Sequence, residues 1–322
     1  MLLINQHPEN RSIMVAILGA TNVGKSSLIN HYLGMDLSVV THKPQTTRNR
    51  FHCVYNIDRT QVVFIDTPGL HRSNQEFNKR LNEQAREGST GADLNLLMVD
   101  LSRPVLKQLT SFSESFRREL GRTWVVFNKS DLISDLDKLP LDEVILQAKK
   151  IMPSIEKHFV ISATSGLGGE LIKEICNEST NRYHLYTDEE VSNKNMRFFV
   201  TEYIREQAYL LLNEELPYEL AVVLDEYHDG RIKDDGSREV THIAATILVN
   251  RPSQRGIVVG SKGSMIKSIG VRSREKIENL LGGQINLNLH VKVSPRWFKN
   301  NFVLESIGLP RAQDSNRVWR KK

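Results

Sequence analysis

A glycine-rich octapeptide, GATNVGKS, extends from Gly19 to Ser26 and carries Gly, Lys and Ser at the fixed positions of a phosphate-binding loop. Glycine lets such a loop turn its backbone N–H groups inward around a phosphate, and the helix that follows adds its positive N-terminal end. In this arrangement Lys25 reaches the β- and γ-phosphates and Ser26 holds Mg²⁺. The stretch therefore predicts a nucleotide site, and a glycine-rich turn between two ordinary elements is the alternative.

Three shorter motifs follow predicted strands further along the chain. Asp66–Leu70 (DTPGL) supplies a carboxylate that could orient Mg²⁺ through water, and the amide of Gly69 could meet a γ-phosphate. In Asn128–Asp131 (NKSD) the Asp131 carboxylate would accept from the N1–H and the exocyclic amine of guanine, a donor pair that adenine lacks. The backbone of Ser162–Thr164 (SAT) could contact the guanine carbonyl. Alone, DTPG is more often a turn and NKSD a helix cap, but the order of the motifs favours guanine nucleotides.

The residues that we predict to contact the nucleotide come from the phosphate loop and these three motifs. Because Asp131 selects guanine, we expect GTP and GDP to bind and ATP to be excluded. The predicted contacts are Gly19, Ala20, Thr21, Asn22, Val23, Gly24, Lys25, Ser26, Ser27, Asp66, Thr67, Pro68, Gly69, Leu70, Asn128, Lys129, Ser130, Asp131, Ser162, Ala163 and Thr164.

The motifs lie within alternating strand-like and helix-like segments. Apolar runs predict strands at Ser12–Leu18, Arg50–Tyr55, Gln61–Asp66, Leu94–Leu101, Thr123–Asn128 and His158–Ser162. Helical spacing predicts helices at Ser26–Leu33, Asn78–Gly88, Val105–Leu120, Leu141–Ile151 and Gly169–Cys176. This order is typical of an α/β domain with a doubly wound sheet, in which ligands bind at the carboxyl ends of the strands.

The positive charge of the chain is concentrated near its C-terminus. The net charge is +5, and Arg255–Lys299 contains nine Lys and Arg residues against two acidic residues. The remainder contains 34 basic and 36 acidic residues. A segment of this kind is the electrostatic pattern of a nucleic-acid-binding module, and a solvated basic face is the alternative.

This basic segment contains the spacing G-x-x-G within a second predicted domain. Periodicity predicts a helix and three strands at Phe198–Leu216, Glu219–Tyr227, Val240–Asn250 and Ile285–Val293, in an α-β-β-α-α-β order. A G-x-x-G loop between the two middle helices of this order clamps the backbone of single-stranded nucleic acid, and a plain helix–helix turn is the alternative. The predicted RNA contacts are Gly260, Ser261, Lys262, Gly263, Lys267 and Arg272.

On these motifs the sequence resembles the translation-factor-related class of GTPases and, within it, the Era family. THKPQTTRNR, Thr41 to Arg50, is similar to the switch I segment of that family, and RGIVVGSKGSMIKSIG, SREKIENLL and NLHVKV are similar to its KH domain. The resemblance covers Ser12 to Leu309. It implies an α/β P-loop GTPase domain followed by an α+β type II KH domain. Ala20 and Thr21 stand where the family usually has a basic residue and proline.

The resemblance also implies roles for individual residues. Thr47, with Thr46 as the alternative, would meet Mg²⁺ and the γ-phosphate. Leu70 stands where Ras-like enzymes have a water-orienting Gln, which implies slow intrinsic hydrolysis, and His71 is interpreted as a surface histidine. Asn22 matches an Asn that binds K⁺ in relatives, and a turn-stabilising role is equally open. The predicted metal ligands are Ser26, Thr47 and Asp66, and the predicted catalytic residues are Asn22, Lys25, Thr47 and Gly69.

The function implied by the resemblance is a GTP-hydrolysing switch with Mg²⁺, and K⁺ as a second candidate ion. Its expected partners are GTP or GDP and the single-stranded 3′ end of small-subunit ribosomal RNA, during assembly of the small ribosomal subunit. Peripheral contact with the inner face of the membrane is also implied. A signalling GTPase that uses the KH-like domain as a protein platform is one alternative. An ATP-driven RNA enzyme is the other, and Asp131 disfavours it.

The composition of the chain limits the classes of protein to which it could belong. With 322 residues, of which 39% are hydrophobic, the chain is predicted to fold into two domains and not to be disordered. Cys53 and Cys176 lie far apart, so we expect reduced thiols and neither a disulfide framework nor a zinc site. No apolar run approaches the ~18 residues of a membrane span, and we expect a cytoplasmic monomer. The predicted parts are a GTPase domain (1–180), a linker (181–197), a KH domain (198–310) and a disordered basic tail (311–322).

Overall fold

The computed structural model describes residues 7–41, 43, 46–70, 76–116, 120–135, 140–213, 216–230 and 239–309. Two compact units divide the chain. The first contains Met1–Arg72 and Gln84–Phe199, and the second contains Ser73–Glu83 and Val200–Lys322. The predicted domain boundaries at residues 180 and 197 stay predictions. His71 and the predicted tail 311–322 lie outside the described residues.

The first unit is built on a mixed β-sheet with the strand order β2-β3-β1-β4-β5-β6, and β7 pairs with β1. Strands β3, β4 and β5 are buried at every residue, as expected for strands that have both faces covered. The strands are Arg11–Gly19 (β1), Phe51–Ile57 (β2), Thr60–Asp66 (β3), Leu94–Asp100 (β4), Thr123–Asn128 (β5), Ile155–Val160 (β6) and Thr180–Asn181 (β7).

Helices connect these strands and flank the sheet. Each of them begins and ends within a few residues of the helix that periodicity predicts. The helices of the described residues up to residue 199 are Lys25–Leu33 (α1), Glu76–Thr90 (α2), Val105–Phe116 (α3), Leu141–Ile151 (α4), Gly169–Asn177 (α5) and the start of Met196–Leu211 (α6).

Two strands differ from the sequence prediction. Strand β2 is antiparallel to β3, whereas β1 is parallel to both β3 and β4. Only Asp58 and Arg59 separate β2 from β3, and Asp58 has φ 50, so this connection is a tight hairpin turn and cannot hold a crossover helix. Strand β6 begins at Ile155, three residues before the predicted start, because Ile155 pairs with Thr123 of β5.

The segment predicted as a linker packs along the outer edge of β2. The Val54 amide donates to the carbonyl of Val191 at 3.0 Å, and the His52 amide donates to Asn193 Oδ1 at 2.8 Å. Ser192 Oγ donates to the His52 carbonyl at 2.6 Å. These bonds cover an edge strand that would otherwise present unpaired backbone groups.

The second unit has the predicted α-β-β-α-α-β order. Strand β9 lies at the centre of a three-stranded sheet, antiparallel to β8 and parallel to β10. Phe77 and Leu81 of α2 pack in its core with Trp297, and the Phe77 and Trp297 rings meet edge to face at 5.8 Å. Its elements are α6, Ala221–His228 (β8), Thr241–Val249 (β9), Pro252–Val259 (α7), Ser264–Leu281 (α8), Ile285–Val293 (β10) and Asn301–Ser306 (α9).

Among the described residues, no helix is both long enough and apolar enough to cross a membrane.

Candidate functional site

The phosphate loop joins β1 directly to α1 and turns sharply at three positions. Gly19 has φ 143, Asn22 has φ 62 and Gly24 has φ 99. A Cβ on Gly19 would lie 2.5 Å from the carbonyl oxygen of Met98, and a Cβ on Gly24 would lie 2.2 Å from Asn128 Nδ2. Both glycines are therefore required by close approach as well as by backbone conformation.

Lys25 lies at the N-terminus of α1 and points into the loop. Its side chain is buried, and Nζ donates to the carbonyl of Ala20 at 2.8 Å and to that of Gly19 at 3.3 Å. Burial lowers the pKa of Lys25 to about 8, and the nearby charge of Asp66 opposes that shift. The ammonium is thus held by loop carbonyls on the side of the loop where phosphates would bind.

Three oxygen-bearing side chains from separate segments converge beside Lys25. Ser26 Oγ lies 3.1 Å from Thr47 Oγ1 and donates to Asp66 Oδ2 at 3.3 Å. Asp66 is fully buried, and its Oδ1 has no hydrogen-bond partner among the described residues. Burial raises the pKa of Asp66, while the hydrogen bond from Ser38 and the charge of Lys25 oppose this change. Hydroxyl and carboxylate oxygens suit a hard cation such as Mg²⁺, and the unpartnered oxygen could accept from a metal-bound water.

The alternative threonine of this segment, Thr46, lines the same cavity as Thr47, but its hydroxyl contacts other residues. Its Oγ1 lies 2.7 Å from Thr41 Oγ1 and donates to the Lys43 carbonyl at 2.7 Å. These contacts favour Thr47 as the third member of the cluster. His42, Pro44 and Gln45 of the predicted switch segment lie outside the described residues.

The turn after β3 brings Gly69 onto the phosphate loop. A Cβ on Gly69 would lie 2.9 Å from the backbone nitrogen of Thr21, so only glycine allows this approach. Thr67 is fully buried and its Oγ1 donates to the Ile17 carbonyl at 2.5 Å. The Leu70 amide donates to the Gly19 carbonyl at 3.4 Å. Thr67 and Leu70 therefore fasten the turn to β1.

At the guanine end, Asn128 joins two motifs. Its Nδ2 donates to the Val23 carbonyl at 2.7 Å, and its Oδ1 accepts from the Ala163 amide at 2.9 Å. Asp131 Oδ1 accepts from Ser162 Oγ at 2.5 Å, and Asp131 is exposed. The NKSD and SAT motifs thus orient one another. This contact cannot be recognised when each motif is identified separately in the sequence.

Residues outside the predicted set also take part in this arrangement, among them Asp100 and Ser38. Asp100 Oδ2, at the end of β4, lies 2.7 Å from Lys129 Nζ. Although burial alone would raise the pKa of Asp100, hydrogen bonds from Lys129 and Ser102 hold it below its usual value. The position of Asp100 at the carboxyl end of a predicted strand is a signal that could have identified it. Ser38 donates to Asp66 and belongs to no motif.

A cavity of about 450 Å³ in the first unit is lined by residues of all four nucleotide motifs. Val23 and Thr67 are buried and are not among the described residues that line it, while Ala20 and Leu70 line another cavity of about 310 Å³. The described residues that line the larger cavity include Thr21, Asn22, Gly24, Lys25, Ser26, Ser27, Thr47, Gly69, Arg103, Asn128, Lys129, Asp131, Ala163 and Thr164.

In the second unit, the G-x-x-G segment forms the turn between α7 and α8. Gly260, Lys262 and Gly263 have φ values of 73, 50 and 80. A Cβ on Gly260 would lie 2.7 Å from the Cβ of Met265, whereas a Cβ on Gly263 would meet no atom within 4 Å. Lys262 and Ser261 are exposed. Gly260 therefore serves the tight turn, and Gly263 leaves open space at the surface.

A cleft of about 450 Å³ lies between α8 and β10. Its lining is mixed, because apolar side chains alternate with the polar groups of Lys267, Arg274 and Asn286. Lys267 and Arg274 are seven residues apart and share one helix face, while Arg272 is exposed and is not among the described residues that line the cleft. Its described lining is Ile266, Lys267, Gly270, Val271, Arg274, Ile285, Asn286, Leu287 and Leu289.

Comparison with known families and proteins agrees with both halves of the chain. The model of a family described as 50S ribosome-binding GTPase matches residues 14–129, and the KH domain model matches residues 215–298. GTPase Era from Syntrophus aciditrophicus is 36% identical over 299 residues, which cover 92% of this chain and 95% of that protein. GTPase Era from Thermotoga maritima is 34% identical over 301 residues, covering 93% and 97%.

Two solved structures resemble the whole chain. A crystal structure of Era in complex with MgGDPNP and nucleotides 1506-1542 of 16S ribosomal RNA has a TM-score of 0.84 and 30% identity, and the match covers 94% of this chain and 99% of that one. A crystal structure of a point variant of Aquifex aeolicus Era bound to GDP.AlF4- has a TM-score of 0.84 and 31% identity, covering 93% and 99%.

Proposed function

Because the chain belongs to the Era family of GTPases, we propose that it hydrolyses GTP as a switch whose KH domain binds the 3′ end of small-subunit ribosomal RNA. One observation carries this proposal: residues of all four nucleotide motifs line one cavity, which holds both Asp131 and Ser26, and Ser26 contacts Thr47 and the Asp66 carboxylate. The direct test is phosphate release from GTP and ATP by the full chain. We expect release from GTP alone, and equal release from ATP would contradict the guanine assignment.

Mg²⁺ is the cofactor that this site supports. Ser26, Thr47 and Asp66 would hold it, and when bound it neutralises charge on the β- and γ-phosphates. The related Era structure contains MgGDPNP, and the unpartnered Asp66 Oδ1 here fits a metal site of this kind. The residues of this chain then have separate tasks: Lys25 binds phosphate, Gly69 brings its amide to the loop, and Asp131 selects the base.

The RNA part of the proposal rests on the second unit. The Era structure that resembles this chain holds nucleotides 1506-1542 of 16S ribosomal RNA. In this chain a basic, exposed G-x-x-G turn adjoins the start of α8, which also forms one wall of the cleft. Such a surface can accept backbone phosphates at the turn and unstacked bases in the cleft. We therefore propose the single-stranded 3′ end of this RNA as ligand and small-subunit assembly as the process.

Replacing Lys262 with alanine is expected to weaken RNA binding modestly and to flatten its salt dependence. Loss of one phosphate contact on a single strand lowers the slope of log K against log salt by about 0.7. The measurement is a titration of a single strand from the 3′ end of small-subunit RNA at several salt concentrations. Lys150→Ala, an exposed lysine on α4, is the matched control. An unchanged slope for Lys262→Ala would remove Lys262 from the RNA contacts.

Asn22 is proposed as a residue that binds K⁺ beside the phosphates. It lines the nucleotide cavity. Since Leu70 replaces the water-orienting Gln, we expect intrinsic turnover of about 10⁻³ s⁻¹ or less. Exchanging K⁺ for Na⁺ at constant ionic strength should lower this rate.

The Asn22→Ala variant should lose the difference between the two salts. Alanine is strained at positive φ, so Asn22→Gly is the companion variant that removes the side chain and keeps the backbone conformation. Phosphate release and GTP affinity are measured for each variant in both salts. Equal parent rates in K⁺ and Na⁺ would leave Asn22 as a loop residue.

The location of the protein stays a prediction. We propose a cytoplasmic protein with peripheral contact at the inner face of the membrane, which fractionation of cells would test. A signalling role, with the KH domain as a protein platform, would be favoured only if the full chain failed to bind the RNA strand.

A further inference from the structure

Ser38, a residue outside every motif, contacts the carboxylate that the proposed function assigns to Mg²⁺. Its Oγ donates to Asp66 Oδ2 at 2.6 Å in a buried hydrogen bond. Ser26 Oγ donates to the same oxygen at 3.3 Å. A carboxylate oxygen has two lone pairs, so these two hydroxyls use the acceptor capacity of Oδ2.

The backbone of Ser38 is held in place by Asn30 of α1. Asn30 Oδ1 accepts from the Ser38 amide at 2.8 Å, and Asn30 Nδ2 donates to the Ser38 carbonyl at 2.7 Å. Asn30 lies four residues after Ser26, so both side chains project from the same face of α1. The flanking residues Leu37 and Val39 are 2% and 5% exposed, which anchors the loop on both sides of Ser38. The hydroxyl therefore has a defined position relative to the phosphate loop.

The second oxygen of Asp66 remains available. Oδ1 is buried and has no hydrogen-bond partner in the part of the chain that the structure describes. A buried carboxylate oxygen without a donor is costly, and a water polarised by a hard cation is a suitable donor. Turning the plane of the carboxylate away from its present orientation would break the bonds from Ser38 and Ser26. Ser38 thus helps to fix the plane of the Asp66 carboxylate, and with it the direction in which the second oxygen points.

We propose that Ser38 is a positioning residue for Mg²⁺, whose hydroxyl orients the Asp66 carboxylate so that one oxygen is kept for a water of the metal. This inference rests on the proposed function, which places the metal beside Ser26, Thr47 and Asp66. Groups that hydrogen-bond to metal-site carboxylates tune metal affinity, and their loss typically lowers it 10- to 100-fold. Ser38 acts through Asp66 and contacts none of the reacting atoms.

The test measures the release of a fluorescent GDP analogue from the full chain at increasing Mg²⁺ concentrations and in EDTA. For the parent protein we expect release to slow as Mg²⁺ rises. The Ser38→Ala variant should need about tenfold more Mg²⁺ for the same slowing. Its release rate in EDTA should match that of the parent, because the phosphate loop and the guanine end keep their contacts. A general loosening of the fold would instead speed release in EDTA as well.

Two further variants make the result specific. Ser89→Ala is the matched control, because Ser89 is also buried and its Oγ donates to Asn95 Oδ1 at 2.7 Å, outside the nucleotide motifs. It should leave the Mg²⁺ requirement unchanged. Ser38→Cys keeps nearly the same volume and replaces the hydroxyl with a weak donor. It should raise the Mg²⁺ requirement in the same direction as Ser38→Ala, and it serves if the alanine variant does not fold.

The outcomes separate this inference from the proposed function. If the parent depends on Mg²⁺ and both Ser38 variants need the same concentration as the parent, Ser38 is not a positioning residue and the proposed function stands. If the parent itself shows no Mg²⁺ dependence, the metal site is wrong and the inference fails with it. A raised requirement in the Ser38 variants, with no change in EDTA or in Ser89→Ala, supports the inference.

Discussion

Asp131→Asn is expected to lower GTP affinity by roughly 10³-fold, because two hydrogen bonds to a charged carboxylate contribute about 1.5–3 kcal/mol each. The asparagine side chain would offer an amide N–H to the guanine N1–H, so two donors would face each other. Xanthine carries a carbonyl in place of the exocyclic amine, and xanthosine triphosphate should therefore gain affinity. The measurement is competition of GTP, ATP and xanthosine triphosphate for a fluorescent GDP analogue.

The structure adds a reason to expect that the effect of Asp131→Asn is confined to recognition of the base. Asp131 is exposed, and its carboxylate accepts from Ser162 Oγ, which can also donate to an asparagine oxygen. The change should therefore alter recognition of the base more than the stability of the fold. Asp142→Asn, an exposed acid in the first turn of α4, is the control for loss of one negative charge. Unchanged GTP binding by Asp131→Asn would refute the guanine site.

Gly263→Asp is expected to reduce RNA affinity by about 100-fold, since it places a negative charge and a side chain where phosphates must approach closely. Nothing lies within 4 Å of a Cβ built on Gly263, so the side chain fits in the free protein. Its φ is 80, a region that Asp and Asn tolerate better than other residues. GTP binding, measured on the same preparation, should remain intact.

Two controls divide this effect into its causes. Gly263→Asn has nearly the same shape without the charge, so its loss of RNA affinity reports the steric part. Gly282→Asp introduces the same charge at another glycine with positive φ and open space, at the opposite end of α8. It should weaken RNA binding far less. If Gly263→Asp binds RNA as well as the parent, the G-x-x-G turn is not the clamp and the basic segment is only a solvated face.

Much of the fold was predictable because its determinants are local in sequence. The glycines at positions 19 and 24 have positive φ, which is a requirement of the loop itself, whereas the close approach of Met98 and Asn128 to them depends on packing between distant segments. Periodicity identified the strands of both sheets except the two-residue β7, and the helices beside them except α9. The G-x-x-G turn between two helices was predictable for the same reason. The pairing of the strands was harder to predict than their positions. Strand β2 is antiparallel because only two residues connect it to β3, and a pattern of alternating strands and helices does not indicate this.

The sequence by itself determined which motifs bind nucleotide, and the tertiary structure decided how they are held. Ser38 and Asp66 are 28 residues apart, Asp100 and Lys129 are 29 apart, and Val23 and Asn128 are 105 apart. Arg274 likewise enters the cleft because of where α8 meets β10. The conformation of a loop depends on residues that are close in sequence, so it produces a recognisable sequence motif. Contacts between distant segments depend on packing, and they produce no such motif. Ser38 belongs to no pattern for that reason, although its hydroxyl lies 2.6 Å from Asp66.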